Sequence, residues 1–254
     1  KFIEIYFSDK GEILYSHIEG YLLEKSRITK MPKTDRNYHI FYQFVLGSNE
    51  EEKKKYEILD SKCYNYLNNE EYDPNNPQDK EIIDMYTENF GKTKQGFETL
   101  NFPEEEIDNI FKIVIGILYL GNIQFVEEFR NNISTSKIDS NTLSFFEKAS
   151  KFLGLEEKDL NHILTEKTKK MGKETCLTPY TKEEAENIRD GIAKELYSRM
   201  FNYLIKELNK RMENNTETVT RYSLISILDI FGFENFENNN SFEQLCINYA
   251  NEKL

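Results

Sequence analysis

Apolar and polar residues alternate at a period of two where the chain begins, in "FIEIYF" (2–7) and again over about 12–19, "EILYSHIE". That spacing predicts two strands joined by a turn at "SDKG", where Gly11 can take a positive φ. The period then changes. In "DRNYHIFYQFVLG" (35–47), Tyr38, Phe41, Tyr42 and Val45 recur at helical spacing, with Asp35 as the expected N-cap and Gly47 as the expected stop. "EEEKKKY" reads as a solvated helix face. "DPNNPQ" (73–78) reads as a loop carrying two prolines. A short amphipathic helix is expected in "DKEIIDMYTENFG" and a longer one in "FPEEEIDNIFKIVIGILYLGNI", with Pro103 in its first turn. Residues 127–142, polar and turn-rich, predict a surface excursion, and "TLSFFEKASKFLGL" and "EEKDLNHILTE" two further short helices.

The longest helix is expected from near Thr181 to about Glu213. Ile188, Ile192, Leu196, Met200, Leu204 and Leu208 recur every four residues, and Ala185, Ala193, Tyr197, Phe201 and Ile205 widen the stripe. Such a helix is a rod of roughly 50 Å at about 1.5 Å per residue. Gly191 in its interior costs up to about 1 kcal/mol relative to alanine. "LISILD" (224–229) is a continuous apolar run of the kind found in a strand buried on both faces. "SFEQLCINYANEKL" closes the chain as a helix with no stop signal. The pattern as a whole predicts a mainly α fold with a few β-strands.

Composition narrows the function. A net charge of −12 argues against nucleic acid as a partner, because phosphate binding is driven by lysine and arginine. "IFKIVIGILYLGNIQF" is interrupted by Lys112, Gly116 and Asn122, too short and too polar for a membrane span. The start of the chain has no charged lead or cleavage site, so no signal peptide is expected, and the missing initiator methionine suggests a piece of a longer protein. Cys63, Cys176 and Cys246 are odd in number, with no C-x-x-C pair, which fits reduced thiols in a cytosolic protein. His17, His39 and His162 are scattered and share no ligand spacing with any cysteine, which disfavours a metal or nucleophilic enzyme. His39, on an aromatic helix, is expected to pack in the core.

The candidate chemistry lies in "LISILDIFGFENF" (224–236). A strand ending in Asp229 delivers a carboxylate that can hold Mg²⁺ directly or through water. Gly232, three residues on, lets bare backbone approach a phosphate oxygen, and Glu234 offers a second acid to orient water or pair with an arginine. Taken alone, four apolar residues plus an aspartate more often mark an acid capping an ordinary strand-to-loop turn.

The longer stretch "LDIFGFENFENNNSFEQLCINYANEKL" resembles the switch II loop and the start of the relay helix of a myosin motor domain. "KFIEIYFSDKGEILYSHIEGYLLEKSRI" (1–28) is similar to the myosin segment after switch I, and "DRNYHIFYQ" (35–43) to its "ERN-aromatic-H-I-F-Y" helix. "IFKIVIGILYLGNIQF" and "IRDGIAKELYSRMFNYLI" (188–205) resemble the family's "I-L-x-L-G-N-I-x-F" and "A-R-D-A-L-A-K-x-I-Y-x-R-L-F" motifs; Gly191 and Ile192 depart from the latter. The resemblance implies the upper 50-kDa subdomain of a myosin motor, a P-loop NTPase-related α/β head that is incomplete here. Its parts would be a strand pair at 1–20, a mostly helical region at 21–222, the switch II strand and loop at 223–237, and the start of the relay helix at 241–254.

Carried over residue by residue, the resemblance places Asp229 in the second shell of Mg²⁺ and the Gly232 N–H on the γ-phosphate of ATP. It pairs Glu234 with a switch I arginine, where it helps position the attacking water. Closure at Gly232 would pull on Phe231 and Phe233 and move the helix beginning near Ser241. Glu174, sixteen residues before Asp190, falls on the position of an actin-binding loop that is acidic or phosphorylatable in the family; Lys167, Lys169, Lys170 and Lys173 lie nearby. The implied partners are F-actin and, in the full-length protein, a light chain or calmodulin, in the cytoplasm on the actin cytoskeleton. The P-loop signature G-x-x-x-x-G-K-[ST] is not among these residues; "GKT" at 91–93 is a decoy, because Tyr86 stands where the first glycine belongs. Hydrolysis of ATP by this segment alone is therefore not expected. A non-catalytic actin- or protein-binding module and an unrelated Walker-type NTPase completed by a partner chain are the competing readings.

Overall fold

The computed structural model describes residues 1–21, 23–31, 35–130, 133–171, 174–213, 222–230, 232–235, 240 and 242–253, with backbone alone for 130, 133–134, 169–171, 174–176 and 243. In chain order the longer elements are β1 (Phe2–Phe7), β2 (Ile13–Glu19), α1 (His39–Gly47), α2 (Glu50–Lys55), α3 (Pro77–Thr99), α4 (Glu104–Gly121), β3 (Phe125–Arg130), β4 (Ile133–Ile138), α5 (Leu143–Leu153), α6 (Glu157–Thr165), β5 (Glu166–Met171), β6 (Glu174–Pro179), α7 (Lys182–Met212), β7 (Ser223–Leu228) and α8 (Phe242–Lys253). The mainly α fold with a few strands is as expected. The chain divides into two units, one of residues 1–24 with 198–254 and one of residues 25–197. No described helix is long and apolar enough to cross a membrane.

The larger unit, 25–197, is built on α4, whose Val114, Ile115, Ile117, Leu118, Tyr119 and Leu120 are all fully buried. Phe111 stacks on Phe44 of α1 at 4.9 Å between ring centres and meets Phe90 of α3 edge-on at 5.4 Å. Aromatic pairs of this kind contribute about 0.5–1.5 kcal/mol each beyond the area they bury. Two of the family-like motifs meet in this core. Asn37 of "DRNYHIFYQ" donates to the carbonyls of Ile28 and Tyr66 at 2.9 and 2.8 Å. The Tyr66 hydroxyl donates to Asp190 of "IRDGIAKELY" at 2.7 Å, and Arg189 pairs with the same carboxylate at 2.8 Å while donating to the Ile123 carbonyl. Burial, then the neighbouring Asp190, pushes the Tyr66 hydroxyl well above the ordinary tyrosine range.

Several expectations need correction. Helix α1 begins at His39, not at an Asp35 cap; residues 35–38 stay irregular because Asn37 is drawn into the core, and Asp35 instead faces Arg27 at 3.6 Å. His39, in the first turn, is exposed rather than packed. The helix does stop at Gly47, as expected, and a Cβ there would stand 2.8 Å from Phe90 Cβ and 3.1 Å from the Thr87 backbone, so this glycine is also set by close approach to α3. The helix expected after the proline loop begins inside that loop, with Asn76 accepting from the Gln78 N–H and Pro77 in its first turn, and it runs for 23 residues. It absorbs the "GKT" at 91–93. The polar stretch 127–142 holds the β3–β4 hairpin, with Thr135 and Ser136 buried, where apolar alternation gave no signal.

In the smaller unit β1 pairs antiparallel with both β2 and β7, giving the order β2-β1-β7. The β1–β2 turn closes as expected, Gly11 at φ +80° with its N–H donating to the Ser8 carbonyl. Strand β7 is exposed along its whole length, with Ile225 at 54%. The doubly buried strand read from its apolar run is thus corrected: among the described residues only β1 borders it, on one edge.

Two glycines give opposite outcomes to one substitution. Gly191 faces open space, so Gly191→Ala raises unfolding stability by about 0.4–1 kcal/mol. Gly47→Ala lowers it by about 1–3 kcal/mol through overpacking against α3; denaturant melts of both variants measure the pair. On α4, burial pushes the Asp108 carboxyl up, but bonds from Lys112 and Lys55 at 2.7 Å and from the Tyr56 hydroxyl at 2.9 Å outweigh it and hold the pKa at about 2. A depressed folded-state pKa adds stability above the unfolded value, about 3.9, that is lost as pH falls toward 2. Asp108→Asn therefore destabilises at pH 7 and has little effect at pH 2, as melts at the two pH values will read.

Candidate functional site

The site is assembled from the end of β7, the residues that follow, and α8, all in the smaller unit. Strand β7 pairs with β1 in a register that sets Leu228 opposite Phe2 and Ile227 opposite Ile3. The ladder continues one step further, the Asp229 N–H donating to the Lys1 carbonyl at 2.8 Å. The Asp229 carboxylate is therefore delivered by a strand, as read from the sequence, but it is 62% exposed and lies 3.3 Å from Lys1 Nζ. Beside it is a cavity of about 250 Å³ lined by Tyr21, Ile230, Ile247, Ala250 and Asn251 as well as Lys1 and Asp229.

Gly232 stands in open space, with nothing within 4 Å of where a Cβ would lie. Phe231 and Ser241 lie outside the described residues; Phe233 is exposed. Glu234 is held to α8 through its backbone. Its N–H donates to Asn248 Oδ1 at 2.7 Å, and its carbonyl accepts from Asn248 Nδ2 at 2.7 Å, so one side-chain amide takes both backbone groups as a neighbouring strand would. Gln244, one turn earlier on the helix, lies 3.4 Å from the Glu234 carboxylate. Among the described side chains of α8, Gln244 and Ile247 are buried, whereas Phe242, Leu245 and Tyr249 are largely exposed.

Asp229, Gly232 and Glu234 thus fall in one loop anchored at both ends, by β1 before it and by α8 after it. Glu174 belongs to the other unit, at the start of β6, with its backbone paired to Met171 across the hairpin. Its side chain, those of Lys169 and Lys170, and Lys173 lie outside the description. Lys167 on β5 pairs with Glu184 at 2.7 Å and lies over the Tyr180 ring. Sequence reasoning missed Asn248 and Gln244. Their spacing of four on a helix puts both on one face, which is the signal that finds them.

No cluster of three or more His, Cys, Asp or Glu side chains suited to a metal occurs among the described residues. The donor set at the loop fits a looser role: an exposed carboxylate able to hold a hydrated cation through water, and bare backbone at Gly232 open to an anion.

The family model described as Myosin head (motor domain) matches residues 1–254. Among curated proteins, the chain is 41% identical over 260 residues to the Myosin-J heavy chain of Dictyostelium discoideum, covering all of this chain and 11% of that protein. It is 38% identical to Myosin-1 of Saccharomyces cerevisiae and 36% identical to human unconventional myosin-Ib, again over the whole chain but 12% and 22% of those proteins. The chain therefore spans between about a tenth and a quarter of the length of these relatives.

The amide clamp predicts a graded response. Asn248→Asp keeps the acceptor for the Glu234 N–H but loses the donor to its carbonyl, and Asn248→Ala loses both. Amide exchange in a peptide spanning residues 232–235 is expected to quicken slightly in the first variant and about tenfold or more in the second, one tenfold step being about 1.4 kcal/mol. Equal, unchanged exchange in both would show that Asn248 does not hold the loop.

Proposed function

The chain belongs to the myosin head (motor domain) family, and on that premise we propose that it is a segment of an actin-based motor that couples ATP hydrolysis to movement along actin filaments. Residues 223–237 serve as the switch II strand and loop, and 241–254 as the start of the relay helix. The observation that carries this reading is the double hydrogen bond from Asn248 to the backbone of Glu234. A displacement of the loop that moves Glu234 is passed directly to α8, which is the coupling a motor needs between its reacting phosphate and its moving parts.

In this reading the substrate is ATP, and a bound Mg²⁺ would supply positive charge to its phosphates. Asp229 would hold that metal through water, a role that suits an exposed carboxylate on a strand end. The Gly232 N–H donates to the γ-phosphate, which the open space around it permits. Glu234 keeps its carboxylate available to an arginine and to the attacking water while its backbone stays bonded to α8. The water attacks in line, and catalysis comes from positioning and electrostatics rather than from a covalent intermediate. The other supports are regional. Glu174 gives the β5–β6 hairpin a fixed negative charge at the position the family uses for actin, so no phosphorylation is required there. A light chain or calmodulin binds outside this segment, and the protein works on the cytoplasmic actin cytoskeleton. The segment by itself lacks the P-loop signature and does not turn over ATP.

The test is steady-state ATPase of the full-length protein with and without F-actin. Glu234→Ala is expected to lower kcat by at least about a hundredfold while a fluorescent ATP analogue still binds. Full activity in that variant, or hydrolysis by the 254-residue chain alone, overturns the assignment. Actin binding that ATP never weakens would favour the non-catalytic module instead.

A further inference from the structure

Asn209, near the end of α7, treats the backbone of β2 as Asn248 treats the backbone of Glu234. Its Oδ1 accepts from the Ile18 N–H at 2.8 Å and its Nδ2 donates to the Ile18 carbonyl at 2.8 Å. The last turn of the helix follows the same edge, with Ser16 Oγ 3.2 Å from Met212 sulfur and His17 3.3 Å from Glu213. An amide carries its donor and its acceptor on two separate atoms, as a peptide does, whereas an ionised aspartate only accepts and a serine hydroxyl has both roles on a single oxygen.

The place of this clamp in the sheet matters more than its strength. Ile18 lies opposite Ile3, and Ile3 lies opposite Ile227. In an antiparallel ladder successive residues turn their N–H and C=O alternately to one neighbour and then to the other. Because Ile18 gives both groups to Asn209, Ile3 turns its own pair toward Ile227, and the next bonded pair along β1 and β7 is Lys1 with Asp229, as observed. A row of facing residues therefore runs from Asn209 through Ile18, Ile3 and Ile227 to a point two residues before Asp229, bonded through the backbone at Asn209–Ile18 and Ile3–Ile227 and joined at Ile18–Ile3 as a non-bonded pair whose side chains pack closely. The irregularity in the β1–β2 register falls at the other end, between Tyr6 and Phe7. The sheet can slip or bulge there, but at the Asp229 end it is pinned from outside.

We propose that Asn209 is a positioning residue for the Asp229–Glu234 loop, holding the register of the β2-β1-β7 sheet at the end from which that loop departs. A one-residue slip would turn every side chain of a strand to the opposite face, Asp229 with them. The clamp also occupies the free edge of β2, which would otherwise present unpaired groups to another strand. The inference rests on the functional reading above only where it concerns catalysis; the register argument stands without it.

The test is hydrogen exchange by mass spectrometry on the full-length protein, comparing Asn209→Ala, the milder Asn209→Asp, and Ser16→Ala as a control at the same edge. In Asn209→Ala, peptides spanning 13–19 and 223–229 are both expected to exchange about tenfold faster or more; Asn209→Asp gives a smaller rise in both, and Ser16→Ala none. A rise confined to 13–19 overturns the proposal and reduces Asn209 to an edge cap. In the same preparations, Asn209→Ala is expected to lower kcat for ATP about tenfold or more with KM within about twofold, whereas a change in KM alone overturns the positioning role. The exchange result needs no nucleotide. An inactive parent protein with coupled exchange therefore defeats the functional reading alone, and an active one with uncoupled exchange defeats this inference alone.

Discussion

Backbone N–H and C=O groups that leave a helix or a ladder must find partners wherever water is excluded. This chain meets that constraint repeatedly with asparagine. Asn37 donates to two carbonyls from separate segments. Asn122 accepts from the Asn65 N–H and donates to the Cys63 carbonyl, while Asn65 returns a bond to the Gly121 carbonyl. Asn209 and Asn248 each take both groups of a single residue. The side-chain amide reproduces the donor–acceptor pair of a peptide without committing the chain to another strand. Irregular segments can then be fixed against helices at points where no ladder reaches. Composition alone makes this abundance of asparagine look like a bias; the hydrogen bonds give part of it a physical purpose.

The candidate site depends on the same device. Asp229 is set by strand register and Glu234 by a helix side chain, so the loop between them is bounded by two different kinds of attachment. A ladder is stiff along its length but can slip by whole residues. A bidentate amide does not slip; it is made or broken. In the function proposed above, a loop held on one side by each would take two discrete positions rather than a continuum.

How much of this was legible in the sequence follows from what each signal measures. Periodicity reports a residue's relation to its own element, so α7 was readable to within a residue at each end and the β1–β2 turn at Gly11 without error. Asp229, Gly232 and Glu234 fall in one loop because they are near neighbours in the sequence. Burial was not readable for β7, because an apolar run states what a strand prefers to meet and not which strands border it. The polar hairpin β3–β4 was missed for the converse reason: Thr135 and Ser136 are covered by neighbours, and no alternation in the sequence records that. Asp35 illustrates a third failure. It has the residue type of a helix cap and the right place before an apolar stripe, yet Asn37 two residues on has partners in the core that the helix cannot offer.

The two amide clamps mark the boundary of what a single sequence can yield. An asparagine in a helix is a mild penalty and suggests nothing about a ligand, because its side chain competes with the helical backbone for hydrogen bonds. Asn248 becomes informative only beside Gln244, four residues earlier, since two amides on one helical face imply a polar strip for something to lie against. Asn209 has no amide four residues away; Ile205 precedes it and Glu213 follows it at that spacing. Its role appears only when the ladder is traced from Ile18 through Ile3 to Ile227, a path of three strands that the sequence holds at three widely separated places. A sequence can show which residues share one stretch of chain, but not the register of the sheet that the stretch leaves, because register is a relation between strands.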